Sequence, residues 1–80
     1  MSEQLSRAIA AEVRRLCEEL GWSGRELARR ADLKVTATAA KLAGETAFGF
    51  DDVDAIAAAV GISPVDLIAR ANDARPHSNG

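Results

Sequence analysis

Helix stop and start signals recur so closely in this 80-residue sequence that they divide it into five short segments. Gly21 and Gly61 each follow an apolar repeat, at the position where a helix end favours a left-handed residue. Ser23 and Ser63 come two residues later as N-caps, and Pro64 stands at the favoured first position of a helix. Helical segments of this length with such short connections predict an all-α fold of five helices.

The first two predicted helices each present one apolar side. The first covers residues 3–20 with Ser2 as its N-cap, and the second covers 24–31 behind a capping box of Ser23 and Glu26. The apolar residues of the first helix are three or four positions apart and form one stripe: Leu5, Ile9, Val13, Leu16 and Leu20. Both helices are therefore expected to contribute to a shared core.

Three more helices are predicted in the second half of the chain. The third spans 35–43 before Gly44, the fourth begins at Asp51 and the fifth begins at Pro64. The residues expected to point inward from the second to the fifth helix are small or aliphatic: Leu27, Ala28, Ala31, Thr38, Ala39, Leu42, Val53, Ile56, Ala57, Val60, Leu67, Ile68 and Ala71. The acids at the start of the fourth helix are explained as partners of the helix dipole.

Composition excludes several functional classes. Cys17 is the only cysteine, so it forms no internal disulfide, and no second cysteine or core histidine completes a metal site. The first residues carry frequent charges and no long apolar run, which argues against a signal peptide or membrane span. We expect a cytoplasmic protein with one domain over residues 1–72 and a flexible tail over 73–80. We expect no catalytic site, no cofactor, no metal and no small-molecule ligand.

Charge is distributed unevenly along the chain. Residues 1–46 hold eight Lys and Arg against seven Asp and Glu, a balance of +1, whereas residues 47–80 hold two against five, a balance of −3. The net charge of −2 argues against nucleic acid as a partner, because DNA-binding domains are usually basic. Because the positive balance lies in residues 1–46, any anionic partner is expected to contact the first half of the chain.

The order of these motifs resembles that of lambda-repressor-like and Cro-type regulators, also called the XRE family. The matching residues are Gly21-Trp22-Ser23, Leu27-Ala28, Leu33, Gly44, Ala57 through Val60-Gly61, and Ile62-Ser63. The resemblance extends without a gap from Leu5 to Ala69. It implies a compact five-helix DNA-binding fold in which helices two and three form a helix-turn-helix, with the helix at 35–43 in the major groove.

Position by position, the resemblance implies two sets of DNA-binding residues. The recognition-helix set comprises Lys34, Val35, Thr36, Ala37, Ala40 and Lys41. The set expected to contact the DNA backbone comprises Gly24, Arg25, Arg29 and Thr46. The first set contains no Asn, Gln or Arg for a bidentate base contact, so specificity would depend on thymine methyl groups, DNA shape and symmetry.

Cys17 and Leu42 depart from the family pattern together. Many relatives carry an Arg and a Glu at these positions, which form an ion pair inside the domain. Replacing both avoids leaving one buried charge without a partner. We therefore predict that Cys17 and Leu42 are in contact.

Aromatic residues are expected to pack, with one exception. Trp22 beside a helix cap and Phe50 are interpreted as packing residues. Phe48 lies two residues before Phe50, and both need not face inward. An exposed Phe48 would be a candidate dimer contact.

The resemblance implies a double-stranded DNA-binding transcriptional regulator of the repressor or Cro type, acting as a homodimer on a palindromic operator. It also favours a phage or mobile-element regulator in the cytoplasm of a bacterium or of a phage-infected cell. A protein-interaction module that keeps the helix-turn-helix fold but has lost DNA binding is the alternative. The negative net charge, Gly24 and the alanine-rich recognition helix favour that alternative.

Overall fold

Five α-helices account for most of residues 2–74, the part of the chain that the computed structural model describes. Their bounds are α1 Glu3–Leu20, α2 Gly24–Ala31, α3 Val35–Leu42, α4 Phe50–Val60 and α5 Pro64–Ala74. The predicted all-α class and helix order are confirmed. Within this range, no helix has both the length and the apolar character needed to cross a membrane.

Short polar caps set the helix boundaries. Three helices begin with a serine whose Oγ accepts the backbone N–H three residues further on: Leu5 to Ser2 at 3.1 Å, Glu26 to Ser23 at 3.1 Å, and Asp66 to Ser63 at 3.0 Å. Gly21 and Gly61 end α1 and α4 in the left-handed region, with φ of 73° and 86°. Each cap satisfies backbone groups that a helix end leaves without partners. The predicted serine caps and glycine stops are confirmed. The capping box predicted for Ser23 and Glu26 is only half formed, because the Glu26 carboxylate pairs with Arg29 and Arg30 instead of the Ser23 N–H.

The start of α4 differs from the prediction by one residue. The helix begins at Phe50 instead of Asp51. The cause is the Asp52 carboxylate, which accepts the backbone N–H of Gly49 at 2.8 Å and so fixes Gly49 as the N-cap. Asp52 is therefore a capping residue as well as a favourable charge near the positive end of the helix dipole.

The ends of α3 and α5 also differ from the prediction. α3 ends at Leu42, one residue earlier than expected, and Gly44 then takes the left-handed conformation with φ of 82°. α5 continues to Ala74, two residues past the expected domain end at 72. The remainder of the predicted tail, residues 75–80, lies outside the described residues.

The core forms where α1 packs on α5 and where α2 packs on α3 and α4. Its largest fully buried side chains are Ile9, Val13, Leu27, Val53, Ile56 and Leu67. The predicted apolar stripe of α1 is confirmed except at its last residue, because Leu20 is 46% exposed at the helix end. Ala39 on α3 was predicted to point inward, but it is exposed.

The packing role predicted for Phe50 is wrong, and Phe48 is not the exposed aromatic that a dimer contact would need. Phe48 is buried, with its backbone N–H donating to the buried Ser6 Oγ at 2.8 Å, whereas Phe50 is 73% exposed. Phe50 lies on the same side of α4 as Ala57, seven residues later. However, it is the first residue of the helix and lies beyond the edge of the core. Phe50, and not Phe48, is therefore the exposed aromatic residue of this segment.

Candidate nucleic-acid interface

α2 and α3 form a helix-turn-helix, with residues 32–34 as the turn. Asp32 takes the left-handed conformation with φ of 58°, and the N–H of Leu33 then donates to the carbonyl of Ala28 at 2.8 Å. This hydrogen bond from beyond the helix end is typical of a Schellman-type stop. Leu33 packs against the core and fixes the start of α3 across α2.

The buried side of α3 is centred on Thr38, which is 2% exposed. Lys41 and Leu42 follow one turn later on the same side and are half-buried. The opposite side exposes Thr36, Ala39 and Ala43. This exposed side carries no charged residue and consists mainly of methyl groups.

The predicted recognition residues therefore occupy different environments. Lys34 and Thr36 are exposed at the start of α3, and Val35 is 39% exposed beside them. Ala37 and Ala40 are half-buried and border the exposed side. The first three predicted residues thus form one continuous surface at the helix start.

Lys41 lies against α4. Its Nζ is 3.6 Å from Asp52 Oδ2, and both side chains are only about one-fifth exposed. The same Asp52 oxygen accepts the N–H of Gly49, so one carboxylate both caps α4 and pairs with α3. The sequence did not indicate this pair, because Lys41 and Asp52 belong to different helices. A DNA contact by Lys41 stays a prediction.

The start of α2 lies beside the end of α3. A Cβ placed on Gly24 would lie 3.5 Å from Leu42 Cδ1, which is ordinary van der Waals contact. Arg25 is exposed on the next position, and within residues 2–74 it forms no ion pair. Gly24 is exposed as the first residue of α2, where a backbone N–H has no partner within the helix, and a cation lies next to it.

Glu26 forms ion pairs with Arg29 and Arg30. Its carboxylate bonds to Arg29 and also lies 2.5 Å from the Nε of Arg30. The hydrogen bonds from Arg29 and then Arg30 lower the pKa of Glu26 below its ordinary value. The predicted contribution of Arg29 to an anion-binding surface is thus partly neutralised in the unbound protein.

Trp22 packs beside the helix-turn-helix, as predicted. Its ring is half-buried and lies 4.4 Å from the guanidinium carbon of Arg30, a cation–π contact. Since Trp22 is the only tryptophan of the chain and precedes Ser23, it is an intrinsic fluorescent probe next to the start of α2.

Thr46 is exposed in the connection between α3 and α4 and lines a shallow depression against α1. Two α1 residues also border this connection: Arg7 lines the depression, and Arg14 donates from its Nη1 to the Leu42 carbonyl at the end of α3. Sequence reasoning missed both arginines. Their seven-residue spacing places them on one side of α1, but the proximity of that side to α3 is a tertiary property.

Cys17 and Leu42 both contribute to the core. Cys17 is 6% exposed, and burial raises the pKa of its thiol. Leu42 is half-buried and packs against the same cluster. The direct contact between these two side chains stays a prediction. In the described part of the chain, no three potential metal ligands lie together.

Comparisons with known proteins agree with this architecture. A family model described as a helix-turn-helix domain matches residues 8–71. Among solved structures, a hypothetical transcription factor from Neisseria is similar, with a TM-score of 0.74 and 29% sequence identity. The similarity covers 85% of this chain and 79% of that one. A search of curated proteins found no match.

The family match spans far more than half of the chain and includes all of α2 and α3. The structural match extends the agreement to the packing of the five helices. On these grounds the chain belongs to the helix-turn-helix family, as an XRE-like member with the lambda-repressor-like five-helix fold.

Proposed function

We propose that this protein is a double-stranded DNA-binding transcriptional regulator that places α3 in the major groove. The observation that carries the proposal is an exposed cation at the start of each helix of the helix-turn-helix. Lys34 and Arg25 are exposed there, and within residues 2–74 neither forms an ion pair. Cations of this kind at two helix starts suit two phosphate contacts, one on each side of a helix lying in the groove.

Methyl groups dominate the surface that would face the bases. Thr36, Ala39 and Val35 are exposed, and none of them offers a bidentate hydrogen-bond pattern. Contacts with thymine methyl groups and the Thr36 hydroxyl would therefore supply direct readout. DNA shape would supply the remainder, and we expect modest discrimination between related sites.

We further propose that the protein acts as a homodimer of the repressor or Cro type on a palindromic operator. One helix-turn-helix reads only a few base pairs, so two copies related by a two-fold axis would double the contacts. Phe50 at the start of α4 and Val65 at the start of α5 are 73% and 76% exposed, and such large apolar side chains suit a subunit contact. The protein would regulate by occupying DNA, without a catalytic group, metal or cofactor.

A fluorescence titration tests DNA binding. Trp22 emission is followed as a duplex of about 20 base pairs is added, first at about 50 mM salt and then at increasing concentrations. DNA binding predicts an affinity that falls steeply with salt, with a log–log slope of about −0.9 for each phosphate contact. No binding to duplexes selected from a random pool at about 50 mM salt would contradict the proposal.

Matched variants then locate the interface. Arg25→Glu combined with Lys34→Glu removes two proposed phosphate contacts and should abolish binding while leaving the thermal midpoint nearly unchanged, since both residues are exposed. Arg70→Glu is the control for charge, because Arg70 lies on α5, which packs against α1 and α4. Because Arg70→Glu reverses one charge and the double variant reverses two, a loss in log affinity for Arg70→Glu of about half that of the double variant would indicate a general charge effect instead of this interface.

A protein-interaction module with the same fold is the second candidate. It is favoured by the ion pairs that hold Arg29 and Lys41 in the unbound protein and by the methyl-rich side of α3. Such a module would bind a protein partner through α3 with little dependence on salt. The salt titration therefore distinguishes the two functions.

A further inference from the structure

A second basic surface lies on α1, outside the residues that the helix-turn-helix motif predicts. Arg14 is exposed, and its Nη1 donates to the Leu42 carbonyl at the last residue of α3. The guanidinium is thereby held at the end of the recognition helix. A cation there also interacts favourably with the negative end of the helix dipole.

Two adjoining depressions lie between α1 and the connection that follows α3, next to the Arg14–Leu42 hydrogen bond. The larger has a volume of about 300 Å³ and is lined by Arg7, Ala10, Arg14, Ala43 and Gly44. The smaller, of about 210 Å³, shares Arg7 and Gly44 and extends to Thr46. The larger depression has no acidic residue in its lining, so its electrostatic character is set by the two arginines.

The two arginines differ in availability. Arg7 is bonded to Glu3 at 2.9 Å, whereas Arg14 forms no ion pair within residues 2–74. Arg14 uses one donor on the Leu42 carbonyl, and the remaining donors of a guanidinium stay available for an anion. The connection itself contributes the acidic Glu45 and no basic side chain between residues 43 and 49.

We propose that Arg14, supported by Arg7, is an additional phosphate-binding site that extends the DNA interface from the end of α3 onto α1. The inference rests on the proposed DNA-binding function. With α3 in the major groove, the DNA backbone passes the end of that helix, where the α3–α4 connection lacks basic residues. Arg14 supplies the missing cation from a neighbouring helix.

The test compares Arg14→Gln with wild-type protein in the Trp22 titration, over a range of salt concentrations. Loss of one phosphate contact should weaken binding about three- to tenfold and reduce the log–log salt slope by about 0.9. Arg14→Lys keeps the charge and should keep the slope. Arg70→Gln removes one positive charge on α5 and should leave the slope unchanged.

Each result has one interpretation. A smaller slope in Arg14→Gln, restored in Arg14→Lys, supports the site. A weaker affinity with an unchanged slope shows that Arg14 only stabilises the end of α3, and it overturns the inference. Unchanged binding by Arg14→Gln, while Arg25→Glu with Lys34→Glu abolishes binding, overturns the inference and keeps the proposed function. Wild-type protein that binds no duplex overturns both.

Discussion

At the residue scale, Asp32 is the one non-glycine residue with positive φ in the described part of the chain, and it forms the turn between α2 and α3. L-residues are strained in the left-handed region, although Asp is among those that tolerate it best. Asp32 also adds a negative charge next to Lys34, at the proposed DNA surface. The strained backbone of Asp32 is therefore expected to lower the free energy of unfolding, and its negative charge is expected to weaken DNA binding.

We predict that Asp32→Gly raises the free energy of unfolding by about 0.5 kcal/mol and strengthens DNA binding. The gain in stability stays small because glycine also increases the entropy of the unfolded chain. Urea unfolding and the Trp22 titration measure the two effects. Asp32→Asn removes the charge and keeps a side chain that tolerates positive φ, so it should improve binding with little change in stability. A less stable Asp32→Gly protein would contradict the strain argument.

Ser6 connects two distant parts of the chain. Its hydroxyl is buried on α1 and accepts the N–H of Phe48 at 2.8 Å, which holds the connection before α4 against α1. Ser6→Ala would leave that N–H buried without an acceptor. We predict a loss of about 1–3 kcal/mol in the free energy of unfolding, measured by urea denaturation.

The matched control for Ser6 is Ser2, another serine at the beginning of the chain. Ser2 is exposed and caps α1, so Ser2→Ala should cost only about 0.5–1 kcal/mol. Equal stability of the two alanine variants would contradict the prediction. It would mean that water replaces Ser6 as the acceptor of the Phe48 N–H and that the buried hydrogen bond stabilises the fold no more than an exposed cap.

At the element scale, Asp52 connects α3 with α4. It accepts the Gly49 N–H at the start of α4 and pairs with Lys41 of α3. Asp52→Asn keeps a side-chain oxygen that can accept the hydrogen bond from the Gly49 N–H, but it removes the negative charge that pairs with Lys41. The expected loss of stability is about 0.5 kcal/mol, because the pair is partly exposed to solvent.

We predict that Asp52→Asn binds DNA more tightly than wild-type protein and has a steeper salt dependence. The released Lys41 is the physical reason, since it can then contribute up to one further phosphate contact, about 0.9 in the log–log slope. Asp51→Asn changes the same charge on an exposed neighbour and controls for net charge. A slope that rises equally in both variants would exclude a specific role for Lys41.

At the scale of the whole molecule, the exposed Phe50 and Val65 bear on assembly. We predict that Phe50→Ser and Val65→Ser shift sedimentation velocity toward the monomer and weaken binding to a palindromic duplex, with little change in thermal stability because both residues are exposed. A wild-type monomer that binds a palindrome no more tightly than a half-site would contradict the homodimer.

Local signals were sufficient to predict the helices of this protein. The serine caps at Ser2, Ser23 and Ser63 act within three residues of chain, and glycines end α1 and α4 through their own backbone freedom. The apolar periodicity predicted most of the core for the same reason, since it depends only on helix geometry. Family resemblance then supplied the order of the helices in space.

Tertiary packing decided what each side chain does at the surface. The periodicity of α4 places Phe50 on its core side, yet the core ends one turn away, so an apolar residue is exposed. Lys41 turns toward Asp52 and Arg14 toward the end of α3, through contacts between residues far apart in sequence. The sequence by itself determined the five helices and most of their buried sides, because caps and periodicity are local. Their arrangement as a helix-turn-helix was predicted only through the family resemblance. Only the tertiary structure decided which cations remain unpaired on its surface, because the position of each counter-charge depends on how the helices pack.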